Sequence, residues 1–284
     1  MTPYSSLPNL VVSGPNGVQY AYRDAGDGEI PLVVLQHFRG NLDSWDPALI
    51  DDLAVGRRVL AFDNAGVGGS SGTTPHDIEH MAHDAIAFIA AMGLSRADIL
   101  GYSIGSFIAQ EVALIRPDLV HNLILASTAP KGAAGMHGWA AEVIGAVGKP
   151  DTTPEDYLSV LFAPSPASRQ AGQEALGRMY SRTEDRDQRT SWLTREAQYD
   201  AVCSWGIPDH SALQRLAAIR QPVFVANGDS DPMILPRYSH LIAGLLTDAS
   251  LKIYPDAAHG FLFQHHAEFA ADVADFLAKP RNRD

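Results

Sequence analysis

One cysteine, Cys203, stands in a chain of 284 residues, so no intramolecular disulfide can form and no cysteine-based metal cluster can be built. A reducing cytoplasm suits that composition. Long apolar runs are missing too: nowhere do roughly 18 uninterrupted apolar residues occur, the length a membrane-crossing helix needs. Met1 to Asn9 carry neither a basic leader nor an apolar targeting core, and the expectation is a soluble, unexported, cytoplasmic protein. Positive charge is scarce. With 21 Lys and Arg against 33 Asp and Glu, the net charge is −12, which argues against nucleic acid or an anionic membrane as partner, because both reward basic patches. A small-molecule substrate is the implied partner, with a homo-oligomer left open. The histidines show neither H-E-x-x-H nor cysteine pairing, so no metal and no cofactor are expected. The glycines of Asp63-Asn64-Ala65-Gly66-Val67-Gly68-Gly69-Ser70-Ser71 come without a P-loop lysine or G-x-G-x-x-G at a helix start, which sets a phosphate cradle aside. Internal repeats and low-complexity segments are absent.

What is there reads as one α/β domain with an insertion. Asn9 to Ser13 and Val18 to Asp24 are β-like runs around Gly14-Pro15-Asn16-Gly17, the pattern of a hairpin. Leu32-Val33-Val34-Leu35-Gln36 and Arg58-Val59-Leu60-Ala61-Phe62 are nearly continuous apolar runs, as strands buried on both faces require. His76 to Met92 has helical spacing, and Val120 to Ala126 is another strand. Then the alternation stops. From about Lys131 to His210 the pattern is helical, broken at Gly148-Lys149-Pro150 and Ala163-Pro164-Ser165-Pro166. The β and α rhythm resumes at Leu213 and includes strands at Pro222 to Asn227 and Ser250 to Tyr254, with a last helix from His266 to Ala278. Residues 1–130 and 211–284 are thus expected to form one core, and 131–210 a helical cap.

The core is organised around Asp98-Ile99-Leu100-Gly101-Tyr102-Ser103-Ile104-Gly105-Ser106-Phe107. An apolar run meets G-x-S-x-G and continues as a helix, so the serine stands on an abrupt strand-to-helix turn. A hydroxyl is a weak nucleophile at neutral pH. It has to project toward a base, with amides placed to meet the negative charge its attack creates. At a helix N-terminus Ser103 gains unpaired N–H groups and the favourable end of the dipole, and the Ile104 amide is the first oxyanion donor. Read alone, Ser103 is a helix cap and His259 an ordinary histidine; their places in the chain reverse both readings. Two later strand ends carry Gly228-Asp229-Ser230-Asp231-Pro232 and Pro255-Asp256-Ala257-Ala258-His259-Gly260, giving the order Ser, Asp, His that this architecture uses.

With these motifs, and with the H-x-x-G-like loop at His37, the chain resembles the α/β-hydrolase superfamily from the hairpin to the last helix. The resemblance implies a mostly parallel eight-stranded sheet with helices on both faces and a helical cap. It implies Ser103 as nucleophile, His259 as base and then acid, and Asp231 as the orienting carboxylate, with Asp229 its rival. The chain departs from the family at Gln36-His37-Phe38-Arg39-Gly40, where many relatives have His-Gly before a bulky residue. Phe38 is accordingly assigned the second oxyanion amide. Arg39, near the expected mouth, reads as a solvent-facing side chain. In the cap, Met136, Trp139, Phe162 and Trp205 are assigned to substrate binding, with core packing as the competing role. The implied activity is hydrolysis of a small, largely apolar ester or lactone. Peracid formation, C–C bond hydrolysis or proline iminopeptidase activity would use the same triad, the last with Glu142, Glu155 or Glu174 as an amine anchor. A receptor-like binder with little turnover is the rival from another class.

Overall fold

The structure is a computed structural model that describes residues 2–133 and 136–279. Its strands are β1 (Leu10–Ser13), β2 (Gln19–Ala25), β3 (Leu32–Leu35), β4 (Val59–Phe62), β5 (Ala97–Tyr102), β6 (Val120–Ala126), β7 (Val223–Gly228) and β8 (Ala249–Tyr254). They form one sheet in the order β1-β2-β4-β3-β5-β6-β7-β8. The hairpin strands run antiparallel to each other, and β2 runs antiparallel to β4; every other pairing is parallel. Successive side chains point to opposite faces. Val33, Leu35, Leu60, Phe62, Ile99, Leu123 and Val225 therefore join one buried cluster, while Leu32, Val34, Ala61, Leu100, Ile124 and Phe224 join the other.

Helices cover both clusters. On the first face lie α2 (Ile78–Ala91) and α3 (Ile104–Ile115), and on the second lie α1 (Pro47–Leu53) and the closing helix (His266–Ala278). The sequence marks their beginnings: Asp77 caps α2 by accepting from the His80 amide, and Pro47 stands in the first turn of α1, where its missing N–H costs nothing.

Between β6 and β7 the described residues contain only helices: α4 (Ala141–Val147), α5 (Pro154–Leu161), α6 (Pro166–Met179), α7 (Trp192–Trp205) and α8 (His210–Leu216). The expected breaks fall between α4 and α5 and between α5 and α6. The stretch at Leu213, read as a resumed β and α rhythm, lies in α8, against α3. The remaining helices are α9 (Pro236–Leu245), the short α10 (Phe261–Gln264) and the closing one, α11. Among the described residues no helix is long and apolar enough to cross a membrane.

Register is what positions the site. Leu35 pairs with Gly101, Tyr102 with Ala126, Ala126 with Ala226, and Gly228 with Tyr254. The residues that follow β3, β5, β7 and β8 therefore emerge along a single edge of the sheet, where ligands bind in open α/β folds.

Candidate active site

Ser103 occupies the turn between β5 and α3 with φ 58° and ψ −124°, a conformation that side-chain-bearing residues seldom adopt. Its amide bonds to the Ala126 carbonyl at 3.0 Å, and its carbonyl accepts from the Ser106 hydroxyl at 2.6 Å, which locks the turn. Two glycines allow the approach. A Cβ at Gly101 would lie 2.3 Å from the Gly105 carbonyl oxygen, and one at Gly105 would lie 2.2 Å from that of Leu35. The helix thus sits against the ends of β3 and β5, with the hydroxyl lifted above both.

The two partners arrive from the neighbouring strand ends. His259 Nε2 lies 2.9 Å from Ser103 Oγ, and its Nδ1 lies 2.8 Å from Asp231 Oδ2. All three residues are at most 3% exposed. Asp231 Oδ1 accepts from the Met233 and Ile234 amides at 2.8 and 3.0 Å, so the buried carboxylate is satisfied on both oxygens. With this acceptor on Nδ1, the proton belongs there, and Nε2 is left free to accept from the serine hydroxyl. Tyr102 donates to the His259 carbonyl at 2.9 Å; burial, and then the Asp231 charge, raise its phenol well above the ordinary range, so the donor stays protonated. Asp229 does different work. It is exposed and accepts from Ser230 and from the Asp256 and Ala257 amides, propping the loop that carries His259.

Across the hydroxyl lies the loop after β3. Gln36 is buried; its amide nitrogen donates to the Asn41 carbonyl at 2.7 Å and its oxygen accepts from the His37 amide at 2.9 Å. Those bonds close the loop on itself. Among the described residues, the Phe38 and Ile104 amides have no hydrogen-bond acceptor, although both residues are buried. Buried N–H groups without partners are rare in a protein interior. Asp63 braces the same loop, accepting from the Leu42 and Gly69 amides. Burial and the adjacent Asp187 push its carboxyl well above the usual range.

Two cavities open here. The one touching Ser103 and His259 is small, about 20 Å³, and is walled by His37, Phe38, Val147, Tyr157, Leu161 and Met233. A larger chamber of about 620 Å³ adjoins it, lined with polar groups that include Asn41, Asp43, Asp151, Arg186 and Arg189. His37, Arg39, Tyr157 and Leu161 border both.

The four residues assigned to substrate binding are elsewhere. Trp205 stacks on Phe107 at 5.1 Å and donates to the Ala129 carbonyl. Phe162 packs over Gly172, and the Met136 backbone lies against Gly206. Trp139 meets the Phe38 ring edge-on at 4.9 Å, so it touches the loop after β3 without bordering either cavity. Size and apolarity mark these positions, yet large apolar side chains fill helix interfaces before they line openings. Arg39 needs the same correction: its guanidinium is bonded to the Val147, Lys149 and Pro150 carbonyls rather than to solvent. Val147, Tyr157 and Met233, which do border the serine, carry no motif by which sequence could have found them. Glu142, Glu155 and Glu174 are exposed and border neither cavity. Among the described residues no three His, Cys, Asp or Glu side chains converge on a common metal position.

A mostly parallel eight-stranded sheet, with a serine on a strained strand-to-helix turn, defines the class of α/β-fold hydrolases. The chain belongs to the alpha/beta hydrolase fold family, whose model matches residues 30–266. It is 38% identical to an alpha/beta hydrolase fold protein from Chitinophaga pinensis, with a TM-score of 0.92 and coverage of 98% of this chain and 100% of that one. A non-heme haloperoxidase of Rhodococcus erythropolis is 25% identical over 94% of this chain and 98% of its own length. BpoC of Mycobacterium tuberculosis is 33% identical over 112 residues, 39% of this chain and 42% of that protein, so the match spans less than half of the relative.

Proposed function

We propose that this hydrolase cleaves small, largely apolar esters or lactones through an acyl-enzyme on Ser103. The reading is carried by the unbroken line of Ser103 Oγ, His259 and Asp231, with contacts of 2.9 and 2.8 Å. Ser103 Oγ attacks the substrate carbonyl carbon while its proton passes to His259 Nε2. The Phe38 and Ile104 amides hold the oxyanion, and Asp231 stabilises the imidazolium. Collapse of the tetrahedral adduct expels the alcohol, which takes the proton from His259. Water then attacks the acyl group by the same sequence, releasing the acid and restoring the serine. The small, largely apolar cavity at Ser103 favours a short acyl group, and the larger polar chamber offers room for the alcohol side. Residues 131–210 act as the cap over this site.

The test is turnover of p-nitrophenyl acetate together with fluorophosphonate labelling. The expected result is label on Ser103, and a loss of roughly 10⁴ to 10⁶-fold in turnover for Ser103→Ala with the fold intact. Folded wild-type protein that takes no label would overturn the hydrolase mechanism and favour the receptor-like binder.

A second reading keeps the triad and changes the acceptor. Its support is the name of the Rhodococcus relative, a non-heme haloperoxidase. Hydrogen peroxide in place of water would attack the acyl-enzyme and release a peracid. Peracetic acid formed from acetate and peroxide by the wild type, and lost in Ser103→Ala, is the outcome that selects it.

A further inference from the structure

Arg39 follows the oxyanion donor Phe38 directly, and all its hydrogen bonds lead away from the core. Its amide donates to Gln198 Oε1 on α7 at 2.7 Å, and its carbonyl accepts from Thr190 Oγ1 at 2.7 Å. The guanidinium donates to the Lys149 carbonyl at 2.7 Å, to that of Pro150 at 2.9 Å and to that of Val147 at 3.3 Å. Those carbonyls lie at the end of α4 and in the break after it. Val147 ends α4, where the last carbonyls lack intrahelical donors, and the Lys149 and Pro150 carbonyls follow it outside the helix, so a fixed fork of N–H groups suits all three. Arg39 also has φ 63°, a left-handed conformation that an arginine holds only when its surroundings impose it. Gln198, which accepts from the Arg39 amide on the helical side, is only 1% exposed.

From this we infer that Arg39 is a positioning residue: it fixes the oxyanion loop to the helical insertion, so that the Phe38 amide is aimed at the reacting carbonyl only while the insertion is docked. The inference rests on the hydrolase reading of Ser103 for its kinetic consequence, but not for its structural one. Phe38 itself shares the dependence, since its ring meets Trp139 of the insertion. The serine, the imidazole and the carboxylate belong to the core. The hole is therefore the part of the machinery that straddles two regions, and lifting the insertion to admit substrate dismantles it. Redocking over a bound substrate rebuilds it, which ties the onset of chemistry to closure.

The discriminating variant is Arg39→Gly. Glycine accepts φ 63° without strain, so this change removes the guanidinium tie while leaving the backbone conformation accessible. The expected result is a fall in kcat of about 10²-fold, the effect of losing one oxyanion donor, with KM within about threefold of wild type. Hydrogen–deuterium exchange in peptides spanning residues 36–45 should rise, while α3 stays protected. Arg39→Lys, whose one nitrogen replaces the two that reach the carbonyls in the wild type, should recover part of kcat and part of the protection. Unchanged exchange in the loop of Arg39→Gly would overturn the inference whatever the activity, and so would full recovery of both by lysine. Wild-type protein without label or turnover would sink the hydrolase mechanism alone, because exchange still reports whether Arg39 holds the loop.

Discussion

The sheet edge and the helical insertion meet at one site and share two apolar clusters, but the insertion adds side-chain ties to backbone carbonyls and buried carboxylates. The edge is fixed by apolar alternation: Leu35, Leu100, Leu125 and Val225 are fully buried, and register then delivers Ser103, Asp231 and His259 to one place. The insertion packs Val202 and Trp205 into one of the sheet's apolar clusters and Leu158 and Phe162 into the other, and adds polar ties at its margins. Arg178 grips the buried Asp46 with two nitrogens at 2.8 and 2.6 Å, Arg182 donates to the Ser5 and Leu7 carbonyls, and Thr194 donates to that of Gly66. Burial of apolar area is non-directional and strong, whereas a hydrogen bond exchanges one partner for water and contributes about 1 kcal/mol net. The edge thus rests on strand register, and the insertion on apolar packing with directed polar ties added to it.

The largest expected effect sharpens this contrast within the edge itself. Asp231 and Asp229 are two residues apart, yet only Asp231 reaches His259. Asp231→Asn should lower kcat by about 10⁴-fold, because an amide presents the imidazole with the wrong tautomeric preference. Asp229→Asn loosens an exposed loop and should cost less than about tenfold. Steady-state hydrolysis of p-nitrophenyl acetate measures both. Equal losses would mean that the two carboxylates share the role.

That contrast also explains what could be read from the chain. Strand ends announce themselves: an apolar run, a glycine-flanked serine and a late His-Gly each constrain a local shape, and topology does the rest. Asp231 is separated from Asp229 only by the resemblance, whose G-x-x-D pattern before a proline ends on it. Docking of the insertion leaves no such trace. Arg39 binds three backbone carbonyls, and since every residue has a carbonyl, no complementary side chain stands in the sequence to reveal the pairing. Trp139, Trp205, Met136 and Phe162 were assigned to the substrate by size and apolarity, properties shared by core and pocket residues alike. Leu161, equally plain, does border the serine.

Trp205 offers the next test, of intermediate size. It belongs to the insertion by sequence and to the core by contact, stacked on Phe107 of α3 with only 3% exposure. Trp205→Ala should destabilise the protein by about 4 kcal/mol, chiefly through the cavity left against Phe107, since the Ala129 carbonyl keeps Gln110 as a donor. Activity per folded molecule should stay within a few-fold. Urea unfolding paired with kcat at low temperature measures the two halves. A catalytic loss at unchanged stability would return Trp205 to the substrate site.

The smallest effect belongs to His37, the residue where core loop and both cavities adjoin. Burial is the main reason its pKa falls to about 4 from an ordinary 6.5; the Phe38 carbonyl opposes that shift, and the nearby His259 adds to it. In the unfolded chain the ring takes up a proton below about pH 6.5, whereas in the native protein it stays neutral until about pH 4. Its contribution to stability is therefore complete above pH 6.5 and is lost as the pH falls through that window. The ring borders open cavities, so the loss is set at about 2 kcal/mol, below what full burial would give. Asp63 runs the other way, since its raised pKa makes acidification favour the native state. A single unfolding curve mixes the two, but the difference between wild type and His37→Asn isolates the histidine. That difference should grow by about 2 kcal/mol in favour of the variant between pH 7 and pH 4.5, measured by urea unfolding. Parallel curves would mean that the ring takes up its proton in the native protein as readily as in the unfolded chain, so that burial does not hold it neutral.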